Sequence, residues 1–528
     1  MDAVDRTTAE YLDALSTIDQ SIRSLIDGTK TQPKQPPTLQ TELHMEDDDA
    51  TVVFLCSSLP HYEGMAGVDF SDLCAPLPFS TDHEEPVPDS AWGTSSNSSN
   101  MAPLELQSDM TPLASPQTLA PGEDEDEEDR RLAAYEGWID FDALADAARD
   151  ALGPLLLPNT AASSSLRIGH RTETDYMLTY AVRIAQSQSQ SQSQNKNKNN
   201  DDDTRWVVQV PKPAVPIPVF VSEIVSIAYA ARNSCLPVPT IVAHDFSPSN
   251  AAGVPYAVLE QPPGEPLALL WPDLDMQQKR CILDQIASSV VQLSRLRLPL
   301  IGSLVPSDDG ELIVGPLLCA RDLEPGYAAG AGGPFASTHV YLDALLQASD
   351  AALEELDDDM SRTEVAMYRA NVARFVDQSH DAGPFVLMPE SLDMHHFTVD
   401  RRSLRLSGLV DWTFSSVRPL QSLAQPPPFV FDDTPRWEPL PLDMRLAHRR
   451  NLLRYRTWFV ELLIKCAWPV LGSTGADELV RLARHGYWRY KFEHEAAENI
   501  RFSNPWSFRA LWEHLHPDKQ FALWLCDS

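Results

Sequence analysis

The sequence is poor in cysteine, in basic residues and in long apolar runs. Its 528 residues include 7 cysteines, an odd and widely scattered set without a CxxC pair. Such a set suits a reducing compartment better than a disulfide framework. No apolar run approaches the ~20 residues that a membrane helix requires, and the acidic first residues lack the apolar centre of a signal peptide. These absences predict a soluble, cytoplasmic protein.

Basic residues are outnumbered, with 41 Lys and Arg against 76 Asp and Glu and a net charge of −35. The excess is uneven, because residues 1–130 hold 27 acidic residues against 5 basic ones and contribute −22 of the total. A surface of this sign repels the phosphates of nucleic acid and of anionic membranes. Neither is therefore expected as a main partner.

The residues that are present divide the chain into three regions. Residues 1–130 are rich in Pro, Ser, Thr and acids, end in the acidic run Glu123–Asp129, and are predicted to be mostly disordered. Spaced apolar residues within 1–28 indicate a helix at the start of this region. A second low-complexity tract, residues 186–203, is predicted to project into solvent from a hairpin.

Residues 131–265 have the pattern of a small α+β lobe. A helix is predicted to begin after the capping residue Asp140 and to end before Gly153. Three strands, one helix (Val221–Ala231) and two more strands follow. The predicted strands are Leu166–Ile168, Tyr176–Ile184, Trp206–Val210, Thr240–His244 and Tyr256–Leu259. From residue 266 to residue 528 the pattern becomes helical, which is typical of a larger second lobe.

One stretch of the helical region, Gly383–Phe414, reads instead as a strand, a polar loop and a hairpin. Its predicted elements are the strand Phe385–Met388, the loop Pro389–His396 and the hairpin strands Phe397–Val399 and Leu404–Val410. Asp411 follows the last strand. A carboxylate at such a rigid edge is a frequent metal ligand.

Two segments resemble the aminoglycoside phosphotransferase and choline kinase family, in a divergent form of fungal type. Ile241–Leu267, written IVAHDFSPSNAAGVPYAVLEQPPGEPL, is similar to the family segment that contains PYxxxExxxGxPL. Gly383–Phe414, written GPFVLMPESLDMHHFTVDRRSLRLSGLVDWTF, is similar to its FVLxHxDLxxxNIxVD and GIIDW motifs. The resemblance implies a two-lobed, protein-kinase-like α+β fold and phosphoryl transfer from ATP with Mg²⁺ as the second cofactor.

In the small lobe, the resemblance implies four nucleotide-binding positions. Glu223 corresponds to the acid that orients the phosphate-binding cation. That cation is a Lys or Arg on the third strand of the family, where this chain has Gln209. The turn Ile168–Asp175, which contains Gly169, would cover the phosphates, and Glu260 would lie where the fifth strand ends.

In the large lobe, the family's HxDLxxxN loop reads PESLDMHH. Ser391 takes the place of the proton-accepting aspartate, and a neutral hydroxyl is a poor base. His396 takes the place of the magnesium-binding asparagine and is a softer ligand. The final metal ligand, Asp411, is retained. Asp393 and Glu390 are the candidate substitutes for the missing base.

Three positions that carry the charge chemistry of the family therefore differ together: Gln209, Ser391 and His396. The first hypothesis is a catalytically impaired pseudokinase that serves as a binding or scaffold module. The second is an active ATP-dependent phosphotransferase on a small hydroxyl- or amine-bearing molecule. The third is an interaction protein that binds its partner through the acidic N-terminal region.

Overall fold

The computed structural model describes residues 123–155, 165–185, 205–307, 311–323, 332–355, 359–430 and 442–497. The helix predicted within residues 1–28, the predicted disordered region up to residue 122 and the tract 186–203 lie outside these ranges. Within the described part of the chain, no helix is long and apolar enough to cross a bilayer.

The small lobe consists of two leading helices, a five-stranded sheet and one further helix. Its elements are α1 (Glu123–Glu136), α2 (Phe141–Leu152), β1 (Ser165–Glu173), β2 (Met177–Ala185), β3 (Trp206–Pro211), α3 (Ile217–Asn233), β4 (Thr240–Asp245) and β5 (Tyr256–Glu260). The strand order across the sheet is β1-β2-β3-β5-β4, and every neighbouring pair is antiparallel. The order of the strands and of α3 along the chain is the one that the sequence predicts.

The two leading helices form for different local reasons. The Asp140 side chain accepts a hydrogen bond from the backbone N–H of Ala143 at 2.9 Å, which confirms the predicted cap of α2. The acidic run Glu123–Asp129, which composition placed in the disordered region, forms the first half of α1 instead. Glutamate is a good helix former, and negative charge near a helix N-terminus is favourable.

The two faces of the sheet belong to different apolar clusters, because successive side chains of a strand point to opposite faces. On the outer face, Leu178 and Tyr180 of β2 and Val208 of β3 pack with α1 and α2. On the inner face, Met177 and Val207 join a cluster that includes α3 and continues into the large lobe. Helix α3 therefore lies between the sheet and the large lobe, with 11 of its residues buried.

The large lobe is mainly helical and contains several short strands. Its helices are α4 (Leu267–Leu270), α5 (Met276–Leu293), α6 (Thr338–Glu355), α7 (Asp359–Phe375), α8 (Leu420–Leu423), α9 (Leu442–His485, broken at Gly472) and α10 (Tyr487–Ala497). Its strands are β6 (Glu265–Pro266), β7 (Arg297–Leu298), β8 (Leu304–Pro306), β9 (Leu312–Val314), β10 (Phe385–Met388), β11 (Phe397–Asp400), β12 (Arg405–Leu409) and β13 (Ser416–Arg418).

The predicted strand, loop and hairpin are confirmed. Strand β10 has the predicted bounds and lies between β7 and β13, whereas β11 and β12 form the antiparallel hairpin. Strand β11 also pairs with β6, which follows the end of the small lobe directly. The connection between the lobes is thus joined to the hairpin that carries the candidate site. The predicted two-lobed α+β architecture is confirmed.

Candidate functional site

The centre of the site is a hydrogen bond between β3 and α3. The amide Nε2 of Gln209 donates to Oε1 of Glu223 at 3.0 Å, and the two side chains are only 9% and 3% exposed. The structure therefore brings together the two positions that the resemblance pairs. A neutral amide, however, supplies no charge to the carboxylate or to a ligand.

The second oxygen of the same carboxylate is occupied by Thr413, which sequence reasoning missed. The Thr413 hydroxyl donates to Oε2 of Glu223 at 3.0 Å, and Thr413 is 3% exposed. Burial, and then the charge of Asp411, raise the pKa of Glu223 to about 7, although the hydrogen bonds from Gln209 and Thr413 oppose the shift. The acid therefore keeps its proton to a higher pH than an ordinary glutamate does.

Glu223 is expected to make the protein less stable as the pH rises from about 4.5 to about 7. In that window the folded state keeps the proton on Glu223, but the unfolded chain has released it, so raising the pH favours unfolding. The loss should not exceed about 3 kcal/mol. Urea unfolding at about pH 5 and about pH 8 measures it, and the Glu223→Gln variant should lack this component. Equal pH dependence in both proteins would contradict this expectation, because it would mean that the ionisation of Glu223 does not change the free energy of unfolding.

The segment that supplies Thr413 has an unusual backbone. Asp411 and Phe414 have φ angles of 56° and 55°, a region that non-glycine residues seldom adopt. Between them, Trp412 is fully buried and its indole Nε1 donates to the backbone oxygen of Leu409 at 3.0 Å. This anchoring holds the turn and leaves Asp411 exposed at the end of β12.

The polar loop is fixed by contacts of its own. Leu392 is buried, and the Asp393 carboxylate accepts a hydrogen bond from the backbone N–H of Met394 at 2.6 Å. Asp393 thereby caps the short turn Met394–His396. The Arg418 guanidinium donates to the backbone oxygen of Glu390 at 3.1 Å. Of the two candidate substitute bases, Asp393 is therefore already engaged as a cap. Ser391, which lies between the two in the sequence, supplies only a hydroxyl.

His396 lies within the electrostatic reach of Asp411 and Asp393. Burial lowers the pKa of His396 below its ordinary value, although both carboxylates act in the opposite direction. Its ring is therefore neutral at pH 7, and its Nδ1 is buried without a hydrogen-bond partner. Among the described residues, no three His, Cys, Asp or Glu side chains gather into a group that could hold a metal ion.

Gly169 and Glu260 lie away from this centre. The predicted turn Ile168–Asp175 is mostly strand, because β1 continues to Glu173 and Gly169 sits beside a bulge within it. This strand is held by α1, since Arg171 ion-pairs with Glu136 at 3.0 Å. Glu260, at the end of β5, accepts a hydrogen bond from Arg205 Nε at 2.7 Å on the surface.

The actual turn between β1 and β2 contacts the large lobe. The ring of Tyr176, which precedes β2, packs edge-to-face on Phe414 with centroids 4.8 Å apart. Residues 176 and 414 are far apart in the sequence, and Tyr176 lies outside both segments that resemble the family. Only the three-dimensional structure could reveal this contact.

Comparisons with known proteins give distant structural likenesses. No protein-family profile matches the chain, and no curated protein matches it. The ADP-bound aminoglycoside phosphotransferase APH(2'')-Ib is 11% identical, with a TM-score of 0.36 over 66% of this chain and 93% of its own. The streptomycin–ATP complex of APH(2")-IIa is 12% identical, with a TM-score of 0.32 over 65% and 94%.

An aminoglycoside phosphotransferase from Alicyclobacillus acidocaldarius is 13% identical, with a TM-score of 0.30 over 68% of this chain and 91% of its own. Likenesses this distant do not assign the chain to a family. Its fold is defined by its own strand order and by the position of α3 between the sheet and the large lobe.

Proposed function

We propose that the folded lobes are a catalytically impaired, phosphotransferase-like module that serves as a binding or scaffold domain. The observation that carries the proposal is the buried hydrogen bond between Gln209 and Glu223. In the family that the sequence resembles, a cation at the first of these positions holds the phosphates of ATP. Here an amide is bonded to the acid.

The pKa of Glu223 supports this interpretation. A Lys or Arg within hydrogen-bond distance would favour the charged carboxylate and lower its pKa. Instead burial, with the charge of Asp411, raises it to about 7. The buried centre therefore lacks the positive charge that stabilises a transferring phosphoryl group.

The proton-transfer position gives a second argument. Ser391 is neutral, and the carboxylate of the neighbouring Asp393 is engaged by the N–H of Met394. A positioned base contributes on the order of 10²–10⁴ to a rate, and a neutral hydroxyl at the base position does not supply that contribution. Phosphoryl transfer by this site is therefore expected to be slow.

The residues present do not fit a magnesium nucleotide. Magnesium prefers several hard oxygen ligands, whereas the two positions implied by the resemblance hold Asp411 and the neutral imidazole of His396. The Nδ1 atom of His396 is buried without a hydrogen-bond partner, but it would be a nitrogen ligand and does not replace the missing oxygen ligands. We therefore assign no step to Mg²⁺ and ATP.

The test is ATP turnover by the full-length chain in the presence of Mg²⁺. The expected rate equals that of the Asp411→Ala variant, which lacks the retained metal-ligand position. Any thermal stabilisation by ATP should be the same with Mg²⁺ and with EDTA. Turnover that disappears in Asp393→Ala but persists in Ser391→Ala would overturn the proposal and establish an active phosphotransferase.

A further inference from the structure

Beyond its proposed function, the structure has several contacts that join the two lobes directly. We propose that the Gln209–Glu223–Thr413 hydrogen-bond chain and the contact of Tyr176 with Phe414 hold the two lobes in one closed arrangement without a bound ligand. Both contacts reach the same four-residue segment of the large lobe, Asp411–Phe414.

The first contact fixes α3. Gln209 and Glu223 belong to the small lobe and Thr413 to the large lobe, so the bond from Thr413 links the two lobes. All three side chains are buried, and such a bond is stronger than one exposed to water. Its partner Gln209 orients the carboxylate so that Oε2 faces Thr413.

The second contact fixes the turn between β1 and β2. Tyr176 packs its ring edge-to-face on Phe414, which is 3% exposed. Aromatic pairs in this geometry are favourable beyond the area that they bury. The backbone oxygen of Tyr176 also accepts a hydrogen bond from the N–H of Lys212 at 2.9 Å, which ties the turn to the end of β3.

A third attachment lies near β4. The backbone N–H of Leu409, at the end of β12, donates to the backbone oxygen of Pro237 at 2.7 Å. The large lobe therefore holds the small lobe at α3, at the turn before β2 and at the segment before β4. Attachments at three separate elements oppose rotation about the connection that runs through β6.

This closure stands apart from the question of turnover. A nucleotide that closes a cleft must bind the closed state better than the open one. Where side-chain contacts already stabilise the closed state, a bound ligand can change the equilibrium between the open and closed states only slightly. The lobes should therefore keep one relative position with or without nucleotide, even if slow turnover is found.

Two exposed cysteines allow this closure to be measured on the full chain. Cys235 lies in the small lobe and Cys281 on α5 of the large lobe, and both are exposed. Burial raises the pKa of Cys319 and of Cys466 to about 12, so these thiols react slowly. Spin labels on Cys235 and Cys281 would report the distance between the lobes, after Cys56, Cys74 and Cys526 are replaced by serine.

The expected result is one narrow distance distribution that does not change with ATP and Mg²⁺. Thr413→Val removes the hydroxyl at nearly constant volume and should add longer distances. Thr413→Ser keeps the hydroxyl and should remain narrow. Thr457→Val is the control, because its hydroxyl donates within α9, to the backbone oxygen of Leu453 at 2.9 Å. This variant should also remain narrow.

Three outcomes would overturn the proposal: a broad distribution in the parent protein, a shortening of the distance on addition of nucleotide, or a narrow distribution in Thr413→Val. A loss of thermal stability alone would not support it, because any buried substitution can cause that. If Thr413→Val does not fold, Tyr176→Ala removes the second contact from the half-exposed turn. This variant should likewise add longer distances.

Discussion

Replacing Trp412 with alanine is expected to lower the free energy of unfolding by about 3–5 kcal/mol. The side chain is fully buried, and its indole N–H satisfies the backbone oxygen of Leu409 at 3.0 Å. Truncation would leave a cavity and an unpaired carbonyl, and the surrounding strands cannot collapse far enough to fill it. Urea unfolding followed by circular dichroism measures the change.

Two variants make this expectation specific to packing at residue 412. Trp412→Phe keeps most of the volume but loses the N–H, so its cost should be clearly smaller. Trp138→Ala is the same substitution at a side chain that is 79% exposed. It should change the free energy of unfolding by no more than about 0.5 kcal/mol. If Trp412→Ala cost no more than Trp138→Ala, the turn Asp411–Phe414 would not be anchored as described.

Replacing Asp377 with asparagine is expected to cost about 3 kcal/mol. The carboxylate is 3% exposed and accepts hydrogen bonds from Arg481 at 2.6 Å, from Arg489 at 2.9 Å and from His380 at 3.1 Å. Removing the charge leaves two guanidinium groups without the negative charge that they share. The expected cost lies at the lower end of the range for breaking a buried ion pair, because Arg481 is 44% exposed and its guanidinium can be solvated by water instead.

The same carboxylate gives the Asp377→Asn variant a pH signature. Burial opposes ionisation, but the hydrogen bonds from Arg481, Ser379 and His380 and the charge of Arg489 outweigh it and lower the pKa of Asp377 below its ordinary value. The stabilisation is therefore present when the pH is above about 3.9, the pKa of an aspartate in the unfolded chain. It is lost as the pH falls through the lower pKa of Asp377 in the folded protein. Urea unfolding of both proteins should show a difference that shrinks below about pH 4.

A matched control exists on α6. Asp343 pairs with Arg369 at 3.0 Å, but the two side chains are 32% and 37% exposed. Asp343→Asn should cost less than about 1 kcal/mol because surface ion pairs contribute little. An equal cost for both variants would mean that burial at Asp377 adds nothing to the ion pair.

The strands and the hairpin of the candidate site could be predicted because their signals are local. Phe385–Met388 is a short apolar run with four buried residues, and the charged turn after Phe397–Asp400 ends the next strand. The cap at Asp140 is equally local, since it depends on a side chain and a backbone N–H three residues apart. Each of these patterns lies within a short window of the sequence and can therefore be recognised without the structure.

The contacts that give the site its character are long-range. Thr413 and Glu223 are 190 positions apart, and nothing in the sequence around either indicates the other. The predicted turn at Gly169 was wrong for a related reason: a glycine suggested a turn, whereas pairing with β2 and the ion pair of Arg171 with Glu136 extend the strand past it. Tertiary contacts there override the local preference of glycine.

The packing of α1 and α2 on the outer face of the sheet sets a limit on how the protein can be shortened. A fragment that began at Ser165 would keep every strand that the structure describes but would uncover Leu178, Tyr180 and Val208, which are now buried beneath these helices. A contiguous apolar patch of this kind promotes self-association. A fragment meant to avoid self-association should therefore keep α1 and α2, whose residues Leu132 and Leu144 belong to the cluster on this face.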